Sequence, residues 1–414
     1  MTAPDGNALT ATPAKGERIL ALDGLRGAAV AGIALMNVMV FAMPPAAYFN
    51  PRAYGGEDPL ALALWALSFL VVEDKFRALF AIMFGAGVAI LLGKGGAHPL
   101  RAHYARMAVL FAIGMAHAVL LAGNEVLRVY AVAGLALPLF VKLRPRTLYW
   151  LAAAITAAQV LVALYLFRDW IAYWWQVHSG AATDGSPLRP LEAAYGADPQ
   201  AIADALERGR EGFMERLTRR LGMEPWLTLR VMAGLPSSFA AMLIGIGLWR
   251  DSLLAGSWEP RRALKLAGWC ALASLPALVA MAAADFASGF DPLVTALNAL
   301  VLSAPFDIVL AVGWAALAML LFARGGWVVR LWAAAGRMAL TNYMATSLIF
   351  SGLFASWGLG LFGAVSRPQA LALCLVPIGA MLLWSPPWLA RFRQGPAEWL
   401  WRSLAGWKIL PLRR

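Results

Sequence analysis

Charged side chains are scarce in this sequence: Asp, Glu, Lys and Arg together make up 14% of 414 residues, where a water-soluble chain carries about a quarter. With 61% apolar residues, so few charges cannot cover a surface facing water, which excludes a soluble enzyme domain. Cysteine is nearly absent. Cys270 and Cys374 stand apart inside apolar stretches, so neither a disulfide framework nor a zinc site is expected, and no metal ligands are assigned. Long-period internal repeats are also lacking, which removes support for an inverted-repeat transporter.

Long apolar runs are there instead. They fall at 19–41, 59–93, 102–122, 125–142, 146–167, 226–249, 263–284, 295–323, 333–356 and 368–390, each near or above the ~20 residues that a helix needs to cross a bilayer. The expected fold is therefore all-α and polytopic, with about ten transmembrane helices. Residues 1–17 read as a flexible tail, 18–390 as one transmembrane domain and 391–414 as a basic tail. The first run is no signal peptide, because it is longer than a secretory core and carries Asp23 and Arg26.

The net charge of +12 would suggest nucleic acid in a soluble domain. Here the basic residues gather in alternate short loops, where they set orientation and meet lipid headgroups, so no nucleic-acid partner is expected. Lys94, Arg101 and Arg106 form one group, Lys142, Arg144 and Arg146 the next, then Arg250, Arg261, Arg262 and Lys265, then Arg324 and Arg330, and last the 391–414 tail. That alternation predicts both termini in the cytoplasm. The long segment 168–225 is assigned to the outside, with a helix start at Asp198-Pro199 and an apolar stripe of Ile202, Leu206, Phe213, Leu217 and Leu221. The stripe reads as an amphipathic helix on the membrane surface or as a linker packed on other loops.

Intramembrane polar groups carry the functional reading. The run 59–93 is interrupted by Glu73-Asp74-Lys75-Phe76-Arg77, where a break is expected. Exposing such charges to lipid costs at least ~2.5 kcal/mol each, so Glu73, Asp74 and Arg77 are expected to face protein or a water-filled cavity, against the first or third helix. In the first run Arg26 and Asn37 lie three helical turns apart on one face, with Asp23 one turn before Arg26. Asp23 and Arg26 read as an interfacial ion pair or as part of a ligand site, and Asn37 as an interhelical hydrogen-bonding amide or a site residue.

His117 lies near the outer end of the third run, and Asn124 and Glu125 follow a tight turn. A carboxylate beside a histidine can orient the imidazole and stabilise its protonated form, as a general base requires. The bland alternative is a histidine bonded to backbone or headgroup. His98, His103 and His178 read as solvated. In the ninth run Arg337 and Thr341 stack one turn apart, with Asn342 and Ser347 deeper. Arg26 and Arg337 read as a clamp for a phosphate or carboxylate, or as snorkelling anchors. Gly358-Leu359-Gly360-Leu361-Phe362-Gly363 has dinucleotide-motif spacing but follows a membrane helix, so it reads as a loop.

The sequence resembles the YeiB-type family of bacterial inner-membrane proteins, a domain-of-unknown-function family. The resemblance rests on Leu22-Asp23-Gly24-Leu25-Arg26-Gly27 through Asn37 and on Lys75-Phe76-Arg77-Ala78-Leu79-Phe80 through Phe84-Gly85-Ala86-Gly87. It continues in His117 with Gly123-Asn124-Glu125-Val126-Leu127, in Gly336-Arg337-Met338-Ala339-Leu340-Thr341-Asn342-Tyr343 and in Gly395-Pro396-Ala397-Glu398-Trp399-Leu400-Trp401-Arg402. The family's turn after the histidine usually reads Gly-Asp, whereas here the acid is displaced to Glu125. The first helix also looks like that of the transmembrane acyltransferase superfamily, which includes heparan-alpha-glucosaminide N-acetyltransferase. That resemblance implies acyl transfer from cytoplasmic acyl-CoA to an outward-facing hydroxyl or amine. Where the O-acyltransferases carry a histidine eleven residues after the arginine, this chain has Asn37. Either His117 takes the base role or the scaffold no longer does acyl chemistry. Two functions stay open: an acyltransferase with His117, Glu125 and Asn37 at its catalytic centre and Arg26, Arg337, Asp23, Asp74, Arg77 and Asn342 on the ligand, or a transporter or lipid-handling protein in which the same charges line a passage. Membrane lipids and a small-molecule substrate are the expected partners.

Overall fold

The computed structural model describes residues 20–93, 99–123 and 125–414. The tail at 1–17, Lys94, His98 and Asn124 lie outside the described residues. Within the described residues every regular element is helical, apart from one bridge between Phe392 and Arg413.

The first half of the chain holds α1 (Leu20–Ala42), the single turn α2 (Ala46–Phe49), α3 (Pro59–Val71) and α4 (Lys75–Gly93). Asp58 starts α3 by accepting the Ala61 N–H at 3.0 Å. Between α3 and α4 lies the expected break, with Asp74 at φ 54°, a left-handed conformation that interrupts the helical ladder. α5 (Pro99–Leu120) and α6 (Leu127–Ala136) form an antiparallel hairpin. His103 points at α6, its Nε2 2.8 Å from the Gly134 carbonyl oxygen, and is fully buried. This corrects the expectation of a solvated loop histidine: α5 begins at Pro99, which places His103 in its second turn. α7 (Pro145–His178) has 34 residues, about 50 Å of rise, so part of it extends past the ~30 Å hydrocarbon core. His178 ends α7 on the surface, stacked on Trp174 at 3.9 Å.

The segment after α7 folds as α8 (Arg189–Tyr195), α9 (Pro199–Gly209), α10 (Phe213–Gly222) and α11 (Glu224–Met232). Asp198 caps α9 by accepting the Ala201 N–H at 2.7 Å. The expected single amphipathic helix is two, because residues 210–212 leave the helical path and Gly212 restarts it in extended conformation. Next come α12 (Leu235–Arg250), α13 (Pro260–Ala287), α14 (Pro292–Leu297), a π-helical turn at Asn298–Leu302, and α15 (Ala304–Ala323). The chain ends with α16 (Trp327–Arg337), α17 (Ala339–Phe354), α18 (Arg367–Leu373), α19 (Leu375–Arg391) and α20 (Pro396–Ala405). Residues 358–363 form a loop between α17 and α18, as read from the sequence.

Seven helices in the described residues are long and apolar enough to cross a membrane, or eight when α11 and α12, bent by 49°, count as one. The expected ten are therefore not all continuous spanning helices. The run 125–142 stops being α-helical at Ala136, where Pro138 lacks the N–H to continue and the chain tightens into a 3-10 turn. The run 333–356 is cut at Met338 between α16 and α17.

Small residues let the helices approach closely. A Cβ on Gly336 would lie 1.8 Å from the Asp23 carbonyl oxygen, and one on Gly27 would lie 2.3 Å from that of Trp332, so α1 and α16 cross backbone to backbone. Gly85 and Gly245 do the same for α4 and α12, at 2.0 and 1.8 Å from facing carbonyl oxygens. In a bilayer, where apolar side chains gain little by leaving lipid, such close packing is what holds helices together.

Candidate functional site

The α5–α6 hairpin brings His117 and Glu125 together. Glu125 stands just before α6, and its carboxylate accepts the Leu127 and Arg128 backbone N–H groups, the latter at 3.0 Å. Those bonds occupy the free donors of the helix start and fix the carboxylate facing α5. Gly114 makes the approach possible, since a Cβ there would lie 2.8 Å from Glu125 Oε2. His117 Nδ1 is 4.0 Å from Glu125 Oε1, and both side chains are fully buried. Neither ring nitrogen of His117 has a hydrogen-bond partner among the described residues. The ring lies beside Tyr343 of α17, with centroids 5.2 Å apart.

Beyond Glu125 the polar contacts continue. Arg128 Nε is 3.6 Å from Glu125 Oε2, while its Nη1 donates to Glu224 Oε1 and Thr228 Oγ1, both at 2.8 Å. Thr228 in turn donates to Glu224 Oε2 at 2.6 Å. The buried guanidinium thus bridges the hairpin to α11. Arg220 of α10 donates to the Ala118 and Val119 carbonyl oxygens at the end of α5, both at 3.4 Å. Burial lowers it to about 10, which leaves it cationic at neutral pH, a favourable charge for a helix C-terminus. Asn37 is half-buried one turn beyond Ile33 of α1, which packs in one cluster with Ile113 and Tyr343, but it does not bond to the His117 ring.

A second polar centre explains the cut at Met338. Glu398 of α20 accepts from the backbone N–H groups of Leu340 at 2.7 Å and Thr341 at 3.2 Å, and from the Thr341 hydroxyl at 2.5 Å. The carboxylate takes the place of the preceding turn's carbonyls, so α17 starts afresh there. Trp401 of α20 also donates to the Arg106 carbonyl oxygen at 2.8 Å, pinning the basic C-terminal segment against α5. Burial raises the Glu398 carboxyl above the usual range, against the hydrogen bonds from Thr341 that favour its ionised form. Replacing Glu398 with Ala is expected to cost about 1.5–3 kcal/mol, the worth of hydrogen bonds to a charged group, seen as a lower melting temperature in detergent. Glu398→Gln should recover part of the loss, and a melting curve unchanged in both variants would refute the capping role.

Asn342, a candidate ligand residue, has both amide donors committed to the Ala335 carbonyl oxygen at 2.9 Å and Ser385 Oγ at 3.1 Å, while its oxygen accepts from Trp384 Nε1 at 2.9 Å. It holds α17 to α16 and α19. Arg26 pairs with Asp23 at 2.9 Å on α1 and stays a quarter exposed. Arg26 and Arg337 adjoin Gly27 and Gly336, the residues at the α1–α16 crossing, which places the two arginines at one helix junction.

The third centre is the α3–α4 break. Lys75 is buried, with Nζ 2.7 Å from Asp307 Oδ1 of α15, a bond to the Phe69 carbonyl oxygen and the Phe69 ring at 5.1 Å. Asp74 pairs with Arg77 at 3.0 Å, and both line a cavity with residues of α7, α12 and α15. Asp74 and Arg77 thus face a cavity inside the helix bundle, as expected of charges kept from lipid, and Phe76 between them packs on α1, at Gly32. Among the described residues no group of three or more His, Cys, Asp or Glu side chains could hold a metal ion.

Apolar helices of spanning length around buried ionic centres define a multi-pass membrane protein. Residues 248–408 match a family described as "Protein of unknown function (DUF418)". The chain is 32% identical over 403 residues to the uncharacterized protein YeiB of Escherichia coli (strain K12), covering 94% of this chain and 96% of that protein. It is 25% identical over 401 residues to the uncharacterized protein YxaH of Bacillus subtilis (strain 168), covering 94% of each. No solved structure matches. The chain belongs to the family of YeiB.

Proposed function

We propose that this protein is an inner-membrane acyltransferase that moves an acyl group from acyl-CoA to a hydroxyl or amine on the outer side. The observation that carries the reading is the buried His117 ring, 4.0 Å from Glu125 and with both nitrogens free of hydrogen bonds among the described residues. Glu125 holds the proton on Nδ1, which leaves Nε2 to take a proton from the acceptor. The acceptor oxygen or nitrogen then forms a bond to the thioester carbonyl carbon, the C–S bond breaks, and the coenzyme A thiolate leaves and is protonated. A gap of 4.0 Å exceeds hydrogen-bond reach by about 1 Å, and such pairs tighten when substrate binds. Arg26 and Arg337 hold the donor's phosphates. Tyr343, against His117, and Arg337 lie on either side of the cut at Met338, six residues apart in the chain. The reading is tested by adding radiolabelled acetyl-CoA to the purified protein and measuring binding by equilibrium dialysis; absence of any affinity overturns it.

The same proposal includes ten membrane crossings with both termini in the cytoplasm, α6 and α17 serving as short crossings. It is supported by the alternation of basic loops. Cysteines introduced as Asp184→Cys and Ser288→Cys should label with an impermeant maleimide added outside, while Arg144→Cys and Ser257→Cys should not. The native Cys270 and Cys374 are buried, which keeps the background low. Strong external labelling at 144 refutes this orientation. A passage for small solutes is the competing reading, favoured by the cavity at the α3–α4 break.

A further inference from the structure

Three interrupted helices meet at one cavity that the proposed acyl transfer does not use. α3 and α4 break at Asp74, α11 and α12 bend by 49°, and a π-helical turn separates α14 from α15. The residues that face the cavity come from the first turns beyond these breaks: Asp74 and Arg77 at the start of α4, Ser237 and Ser238 of α12, and Asp307 of α15, with Gln159 of α7 across from them. A helix start carries a partial positive charge, and broken membrane helices place such starts at ligand sites inside the bilayer.

The charged side chains around the cavity are paired, and one of them keeps donors to spare. Lys75 is fully engaged by Asp307, the Phe69 carbonyl oxygen and the Phe69 ring, and its charge offsets that of Asp307. Arg77 is different. Asp74 is its guanidinium's one polar partner among the described residues, at 3.0 Å, and about a third of its side chain stays accessible. A guanidinium carries five N–H donors in a rigid fork, most of them here facing open space within the helix bundle. Gly234 leaves room beside it, since a Cβ there would lie 3.2 Å from Arg77 Nη1. The Gln159 amide oxygen is buried with no hydrogen-bond partner among the described residues, and rotation of the amide would offer its N–H2 instead. The cavity measures about 30 Å³, room for two or three water-sized groups. That suits the two oxygens of a carboxylate.

The geometry points to a site for the carboxylate head group of an organic acid, clamped by Arg77 and received by Ser238 at the start of α12. The bound carboxylate takes the place of Asp74 on the guanidinium fork. Leu300 lines the same cavity and is 39% exposed, so the mouth opens beside the π-helical turn, where an alkyl tail can lie. This site stands independently of acyl transfer, because no residue of the His117 centre lines it.

The test uses the purified full-length protein in a neutral maltoside detergent at constant ionic strength, with acetate, octanoate and inorganic phosphate as probes and the melting temperature as readout, since a ligand of the folded state raises it saturably. Acetate should stabilise the wild type. Octanoate acting at concentrations about tenfold lower places the alkyl tail at the mouth, and equal potency assigns the site to small free acids. Arg77→Ala should abolish the shift, and Arg77→Lys should weaken it about tenfold by removing the fork. Asp74→Asn should tighten binding by about tenfold, because it removes the internal competitor while keeping the size of the side chain. Leu300→Trp, which touches none of the charges, should hinder octanoate more than acetate. His117→Ala should bind acetate as the wild type does, so loss of acyl transfer leaves this result intact. A shift that survives Arg77→Ala, a loss of binding in Asp74→Asn, or a preference for phosphate over acetate overturns the assignment.

Discussion

Replacing His117 with Ala is expected to lower acyl-transfer turnover by about 10²–10⁴, the range attributable to one positioned acid–base group, while acetyl-CoA binding stays near wild type. The separation follows from position: the ring lies against Tyr343 and Glu125, whereas Arg26 and Arg337 sit at the α1–α16 crossing. Arg26→Ala or Arg337→Ala should show the converse, weaker acetyl-CoA binding with a smaller change in turnover at saturation. Glu125→Gln keeps only one of the two backbone bonds, because the Leu127 N–H goes to Oε1 and the Arg128 N–H to Oε2 and an amide offers a single oxygen, so its turnover is compared at a temperature where its melting curve shows the protein still folded. Turnover by His117→Ala equal to wild type removes the base assignment. A reversed pattern, with His117→Ala losing acetyl-CoA affinity, exchanges the two ends of the site.

What the sequence made legible was local. His117 and Glu125 belong to one hairpin, so a short turn was enough to suggest that they meet, and the four charges at 73–77 announced their own break. The partners that complete each centre come from far along the chain. Glu224 reaches Arg128 across 96 residues, and nothing in the polar stretch around it distinguishes Glu224 from its neighbours. The cut between α16 and α17 has no proline to mark it; it is made by Glu398, 58 residues beyond Leu340. Asp307 did leave a signal, as a lone acid inside the apolar run 295–323, which in a membrane helix demands a basic or polar partner. Its partner, Lys75, was read only as part of a charge cluster. Ten apolar runs correspond to seven or eight continuous helices of spanning length among the described residues, because hydropathy records apolar length and is blind to breaks set by tertiary contacts, as at Met338.

Lys75→Ala is expected to destabilise the protein by about 3–5 kcal/mol, the cost of leaving one partner of a buried ion pair uncompensated. Lys75 and Asp307 are almost inaccessible, with side-chain exposures of 1% and 4%, so water cannot replace the lost ammonium. The Phe69 carbonyl oxygen also loses its donor, at the residue where α3 approaches its break. Asp307→Ala leaves the ammonium stranded instead and should cost a similar amount, tempered by the contacts with the Phe69 carbonyl oxygen and ring. The double variant Lys75→Met/Asp307→Leu removes both charges and fills much of their volume, and it should be far more stable than the sum of the single losses predicts. Unfolding of the four proteins in mixed detergent micelles, followed by tryptophan fluorescence, measures the coupling. If the double variant loses as much as the two single variants together, the pair is not coupled, and the ion pair does not hold α4 to α15. Because Asp307 and the neighbouring Asp74 and Arg77 line one cavity, the double variant should also alter carboxylate binding there, whereas Glu398→Ala should leave it unchanged, since Glu398 bonds Leu340 and Thr341 and is not among the lining residues.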